Sequence, residues 1–307
     1  FGRARAFLSC KDWLRHRLTG DLLTDPLDAC GTSLFDIQRR VWDPELLACA
    51  GVRPEQLPRV SDPCLVAGRL RPAAAQATGL AAGIPVVVGA GDDVEVLGNG
   101  MLEPGRALEH LGTTGSILTC AERPVYDPQM AIELYPHVLP DRWIVGGSVT
   151  AAGSALAWAE RSLRLENTMV GGSAATERPW HPNLAYPLVF VPHLFGERCP
   201  AWEPHARGGW IGLAAIHTAA DLRQAVLEGV TFSLRSVLER IESLIGPQAR
   251  ISVSARDTDD ERWLHLRAHI YRRTLALLRT SEPTALGAMI LGAVGVGLYD
   301  SISAAVL

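Results

Sequence analysis

Lysine is all but missing from this chain. Of 29 basic side chains in 307 residues only Lys11 is a lysine, which leaves 28 arginines. A phosphate-binding loop of the Gly-x-x-x-x-Gly-Lys type is excluded, because its lysine must follow a glycine-rich turn and Lys11 follows Leu8-Ser9-Cys10. The six cysteines (Cys10, Cys30, Cys49, Cys64, Cys120, Cys199) show no Cys-x-x-Cys spacing and no histidine rhythm, so neither a zinc site nor a disulfide framework is expected and a reducing cytoplasm fits. No apolar run approaches the roughly 18 residues of a membrane span, and Phe1-Gly2-Arg3-Ala4-Arg5 is no hydrophobic leader. The net charge of −4 carries no positive footprint for nucleic acid or an anionic membrane.

What is present is the composition of a folded domain. Apolar residues make up 48% and charged residues 20%, too hydrophobic for disorder, and the length suggests two domains. No repeat or low-complexity tract interrupts the chain. The pattern predicts a helix over 7–18 with Leu8, Trp13, Leu14 and Leu18 as its apolar stripe, a polar turn over 24–28, and a short helix opened by Asp43-Pro44 and closed at Gly51. Ile84-Pro85-Val86-Val87-Val88 reads as a buried strand that delivers Gly89-Ala90-Gly91-Asp92-Asp93 to the carboxyl edge of a sheet, with a helix over 94–101.

Downstream, 107–111 and 116–119 flank Gly112-Thr113-Thr114-Gly115 as a hairpin, and a strand at 143–145 precedes a helix over 150–163. A Gly- and Pro-rich loop is expected over 171–187. The longest helix should begin at Thr218, with Asp221 completing a variant capping box, and end at Gly246-Pro247. A strand at 251–253, a helix over 260–271, a strand at 275–278 and a helix over 284–299 complete a β-α-β-α series.

Few residues carry chemistry on type and spacing alone. Asp92 on its glycine turn suits a general base, since a carboxylate there can accept a hydroxyl proton while the open backbone leaves room for substrate. An ordinary helix cap is the plainer alternative, and Asp93 could take that job instead. The Gly112-Thr113-Thr114-Gly115 turn offers amides and hydroxyls to nucleotide phosphates, or is simply a tight turn. Gly153 permits close approach, of a ligand or of a packed helix. The loop from Gly196 to Pro204, bearing Trp202, is either functional or a rigid connector. His193, His205, His217, His265 and His269 lack ligand spacing, so no metal-binding residue is assigned. Gly287, Gly292, Gly295 and Gly297 predict a thin, closely packed last helix.

In order along the chain, Lys11-Asp12-Trp13-Leu14 with Arg17-Leu18-Thr19-Gly20 and Thr24-Asp25, then Gly91-Asp92-Asp93, Leu111 to Ser116, Gly196 to Pro204, and Gly208-Gly209-Trp210-Ile211-Gly212-Leu213 with Ala225-Val226-Leu227-Glu228, resemble the FGGY family of carbohydrate kinases, most closely its xylulokinase-like members. The resemblance implies an α/β, actin/hexokinase-like (ribonuclease H-like) two-domain fold, with residues 1–104 as the remainder of a sugar-binding domain and 105–307 as a nucleotide-binding domain. It implies ATP-dependent phosphorylation of a small sugar such as D-xylulose, with Asp92 as base, Asp92 and Asp93 as sugar contacts, and Mg²⁺ bridging the phosphates of ATP. Gly112, Thr113, Thr114, Gly115 and Gly153 fall at nucleotide contacts. The partner expected is then a small-molecule sugar substrate, with no nucleic acid and no membrane, and a homodimer left open.

Two departures accompany the likeness. The family's opening Asp-x-Gly-Thr motif has no counterpart, which leads to the expectation of an N-terminally truncated, incomplete first domain and weak activity. Ala255-Arg256-Asp257 stands where a Gly-Gly-Gly turn normally precedes the tryptophan matching Trp263, and His269 replaces a common acid. A sugar-binding module that has lost ATP therefore stands as the rival, as does a sugar-independent ATPase of the same fold.

Overall fold

Ser9 opens the first helix, α1 (Cys10–Thr19), by accepting the Asp12 amide proton, and Gly20 closes it in the left-handed conformation. The computed structural model describes residues 4–100, 103–163, 186–254, 260–278, 280 and 282–306. Short elements follow: β1 (Leu23–Thr24), α2 (Pro26–Cys30), β2 (Phe35–Asp36), β3 (Val41–Trp42), α3 (Pro44–Ala50), β4 (Arg59–Val60), β5 (Val66–Arg69), α4 (Pro72–Thr78) and β6 (Pro85–Val87). A 3₁₀ turn at Asp92–Val94 leads into α5 (Glu95–Gly98).

Three readings are corrected here. The supposed stripe of α1 is not its buried face: Trp13 and Leu14 are more than half exposed, while Asp12, Arg15 and Thr19 are buried. The predicted polar turn is a strand followed by a helix, because Asp25 caps α2 and Pro26 suits its first position. The strand before Asp92 is not buried: Pro85 is exposed, Val86 and Val87 are half-buried, and among the described residues β6 pairs only with β5, antiparallel.

The principal sheet is built from β7 (Arg106–Leu111), β8 (Gly115–Ala121), β9 (Glu133–Pro136), β10 (Trp143–Val149), and, after β11 (Val189–Val191) and β12 (Gly209–Ile211), β13 (Arg250–Val253) and β14 (Thr274–Leu277). Its order is β14-β13-β7-β8-β10-β9. β14, β13 and β7 run parallel, and the remaining pairs are antiparallel. The helices are α6 (Gly153–Leu163), α7 (Ala219–Ile245), α8 (Glu261–Tyr271), α9 (Pro283–Gly295) and α10 (Ile302–Val306).

Side-chain alternation covers both faces of this sheet. Ala107, Ile117, Val145 and Ile251 join a core with α6, α7 and α8. Leu108, Leu118 and Ile144 join the opposite core with α5, α9 and α10. This mixed α/β architecture is the one the resemblance implies. The Thr218–Asp221 capping box is formed, and α7, about 40 Å long, buries Val226, Val230, Leu234, Val237 and Ile241.

The last long helix ends at Gly295 rather than Tyr299, since Gly297 takes a positive φ of 78°. Its glycines do permit close packing. A Cβ on Gly287 would lie 2.2 Å from the Val94 carbonyl oxygen, so α9 is seated on the turn that carries Asp92. The 171–187 loop falls almost wholly outside the described residues. No helix among the described residues is long and apolar enough to cross a membrane.

Candidate active site

The Asp92 turn rests on the chain's one lysine. Lys11 Nζ lies 2.8 Å from Asp12 Oδ1, 3.0 Å from Asp25 Oδ1 and 3.2 Å from Asp28 Oδ2. Arg15 donates to Asp12 at 2.9 Å and to the Val88 carbonyl at 3.0 Å, which fixes the exit of β6. Burial alone would lower the Lys11 pKa, but the charges of Asp25, Asp12 and Asp28 outweigh it and hold the ammonium above its ordinary value. Burial raises the Asp25 carboxyl against the pull of Lys11.

Gly91 is wedged over this cluster. A Cβ there would be 3.3 Å from Leu27 Cδ2 and 3.4 Å from Asp28 Oδ1. The next residue, Asp92, is exposed on the 3₁₀ turn, and the Val94 amide donates back to the Gly91 carbonyl at 3.0 Å. A carboxylate so placed is open to a solvent-borne ligand and backed by a rigid floor. Asp93 follows in the same turn, and its side chain lies outside the described residues.

A side-chain contact links the segments that follow this turn and precede the hairpin. Glu95, at the head of α5, places Oε2 3.7 Å from His110 Nδ1 on β7, two residues before Gly112. The hairpin has its expected form: Leu111 pairs with Gly115, and the Gly112 amide donates to the Thr114 carbonyl at 2.8 Å. Thr113 and Thr114 are exposed at its tip.

The hairpin also anchors α6. The amides of Ala152 and Ser154 donate to the Thr113 carbonyl, and the Gly153 amide donates to the Gly112 carbonyl at 2.9 Å. A Cβ on Gly153 would be 2.6 Å from that Gly112 oxygen, so the group that approaches Gly153 is the hairpin itself. Beside this contact opens a cleft of about 350 Å³ lined by Gly112, Thr113, Gly153, Ser154, Trp158 and Arg161.

The Gly196–Pro204 loop is fastened to the end of β10. Thr150 Oγ1 donates to the Gly196 carbonyl, the Cys199 amide donates to the Ser148 carbonyl at 3.2 Å, and Arg198 pairs with Glu133. Phe195, just ahead of the loop, lines the 350 Å³ cleft. Trp263 is buried and donates its indole N–H to Thr231 Oγ1 at 3.1 Å. Residues 255–257, the Ala-Arg-Asp departure, lie outside the described residues. Among the described residues no group of three His, Cys, Asp or Glu side chains could hold a metal ion.

Sequence reading missed three features. The Lys11 cluster was legible as an isolated lysine flanked by carboxylates at 12, 25 and 28. Arg161 and Trp158 in the cleft carry no local signal beyond their place on α6. The Glu95–His110 contact joins two segments that have no sequence relation.

Comparison with known proteins adds an independent line. The model of the FGGY family of carbohydrate kinases, C-terminal domain, matches residues 108–296, and that of the N-terminal domain matches residues 1–97. Xylulose kinase of Escherichia coli is 33% identical over 262 residues, 85% of this chain and 53% of that protein. Gluconokinase of Bacillus subtilis is 29% identical over 317 residues, 98% of this chain and 61% of that protein. A crystal structure described as a "xyloylose kinase" from Brucella ovis superposes with a TM-score of 0.88 at 31% identity, covering 99% of this chain and 63% of that one. The chain thus spans between half and two thirds of the length of these relatives.

Proposed function

The chain belongs to the FGGY family of carbohydrate kinases, and on that footing we propose that its site serves phosphoryl transfer from ATP to a primary hydroxyl of a small sugar, D-xylulose, giving D-xylulose 5-phosphate. Residues 1–104 would supply the sugar side and residues 105–307 the nucleotide side. The observation that supports this reading is the 3.7 Å contact between Glu95, three residues after the exposed Asp92, and His110, two residues before the Gly112–Thr114 hairpin.

Asp92 accepts the proton of the sugar hydroxyl as its oxygen attacks the γ-phosphorus. The bond from that phosphorus to the β,γ-bridging oxygen breaks, and ADP leaves. The carboxyl then returns its proton to solvent. Thr113 and Thr114 hydroxyls, with hairpin amides, would hold phosphate oxygens, and the cleft beside α6 is suited to the rest of the nucleotide. ATP fits these donors. Mg²⁺ would neutralise phosphate charge, but the described residues offer no protein ligand set for it, so no residue is assigned to it.

The test is sugar-dependent ADP release by the chain, paired with calorimetric titration of D-xylulose and of Mg-ATP. The expected result is release that requires D-xylulose, with both ligands bound. Sugar-independent hydrolysis, or sugar binding without nucleotide binding, would overturn it. Titration with gluconate in parallel addresses the sugar, since the relatives named above include a gluconokinase as well as xylulose kinases.

A further inference from the structure

We propose that Arg161 is a nucleotide-binding residue of the cleft beside α6, where its guanidinium pairs with the α-phosphate. The inference rests on the reading of the hairpin and α6 as the nucleotide side, and it names the protein's own positive charge for that ligand.

A nucleotide brings several negative charges to the cleft, yet most of the groups that line it are neutral or already engaged. The first-turn amides of α6, which at an open helix start would face an anion, are turned onto the hairpin instead. Those of Ala152 and Ser154 donate to the Thr113 carbonyl, and that of Gly153 donates to the Gly112 carbonyl. The Ser154 hydroxyl donates to the same Thr113 oxygen at 2.7 Å. Ala157, Trp158 and Phe195 carry no charge. Arg161 is the one charged side chain in the lining.

Placement on the helix selects the phosphate. Gly153, Ala157 and Arg161 stand four residues apart on one face of α6, which sets Arg161 about 12 Å along the axis from the hairpin contact. Helical side chains lean toward the helix N-terminus, so its reach runs back along the cleft toward Gly112 and Thr113. With the terminal phosphoryl group at the hairpin, the phosphate nearest to Arg161 is the one joined to the ribose. Other arginines of residues 105–307 are committed elsewhere: Arg198 to Glu133, Arg223 to Glu160 and Asp260, and Arg267 to Glu109. Arg161 is exposed and has no carboxylate partner among the described residues. Its planar fork is therefore free to take a phosphate through two parallel hydrogen bonds, without first breaking an ion pair.

The test is calorimetric titration of the whole chain with ADP and with AMP-PNP, both with Mg²⁺, at low and at high potassium chloride, for wild type, Arg161→Ala and Arg161→Lys. D-xylulose serves as the control ligand. Arg161→Ala should weaken ADP and AMP-PNP equally, by about tenfold at low salt, because both carry the α-phosphate, and should leave D-xylulose binding unchanged. The wild-type affinity for ADP should fall more steeply with salt than that of Arg161→Ala, and Arg161→Lys should keep the steeper slope while recovering part of the affinity. A packing role would move neither the salt slope nor the lysine rescue. Unchanged ADP affinity in Arg161→Ala overturns the proposal and leaves the hairpin reading intact. A loss confined to AMP-PNP, or one that salt and lysine do not alter, overturns it too. If the wild-type chain binds D-xylulose but neither nucleotide, the hairpin reading and this proposal fail together.

Discussion

Asp92 carries the account at the residue scale, and its neighbours explain why an exposed carboxylate there is held in place. Asp92→Asn keeps the turn but removes the proposed proton acceptor. Product formation should fall by about 10²–10⁴-fold with sugar affinity retained, as measured by rate and by titration. The supporting floor is testable separately. Lys11→Met would leave Asp12, Asp25 and Asp28 facing one another with Arg15 as the remaining partner, at a cost of about 3 kcal/mol in urea unfolding. Because burial already raises the Asp25 carboxyl, Asp25→Asn should recover part of that loss in the double variant, since asparagine can still cap α2.

A residue far from the site gives a pH prediction. Arg240 hydrogen-bonds Asp127 and, with the Gln129 and Ala131 amides, holds its carboxyl down at about 2. A depressed folded-state value contributes stability above the unfolded value of about 3.9, and that contribution is lost as pH falls toward 2. Urea midpoints from pH 5 to pH 2 should therefore fall more steeply for wild type than for Asp127→Asn. Equal slopes would show that the pair does not act on stability.

Among the elements, two helices meet the site through glycines. Gly153→Ala would set a methyl 2.6 Å from the Gly112 carbonyl oxygen, forcing α6 and the hairpin apart. The expected result is a loss of about 1–3 kcal/mol with weakened nucleotide binding. Gly287→Ala would meet the Val94 carbonyl at 2.2 Å and displace α9 from the Asp92 turn, so it should lower both thermal stability and turnover. Local signals made some elements legible in advance. The Thr218–Asp221 box and Gly246-Pro247 bound α7, and the Gly-Thr-Thr-Gly turn between apolar runs marked the β7–β8 hairpin. Others were hidden because burial is a tertiary property. Trp13 and Leu14 look like core residues in sequence, yet α1 turns Asp12 and Arg15 inward, where Lys11, Val88 and Leu23 provide partners.

For the molecule as a whole, the sheet is a partition with a separate core on each face. The hairpin lies at the end of β7 and β8, α6 packs on one face, and α5 and α9 on the other. The buried Glu109–Arg267 pair at 2.8 Å fastens α8 to β7, next to His110 in sequence. Asp92 and the Gly112–Thr114 turn could be singled out by residue type, but the contact between their neighbours Glu95 and His110 could not, since it joins α5 to β7 across a sheet face. The pairing of β6 with β5 alone was equally invisible, because a β-branched run does not declare its neighbours.

The most direct measurement is transfer of labelled γ-phosphate from ATP to D-xylulose with the chain in excess over ATP, for wild type and for Asp92→Asn. Label appearing in D-xylulose 5-phosphate with wild type, and falling by at least about 10²-fold with the variant, is the expected result. Transfer at equal rates in both, or label released only as inorganic phosphate, would contradict an Asp92-driven sugar kinase.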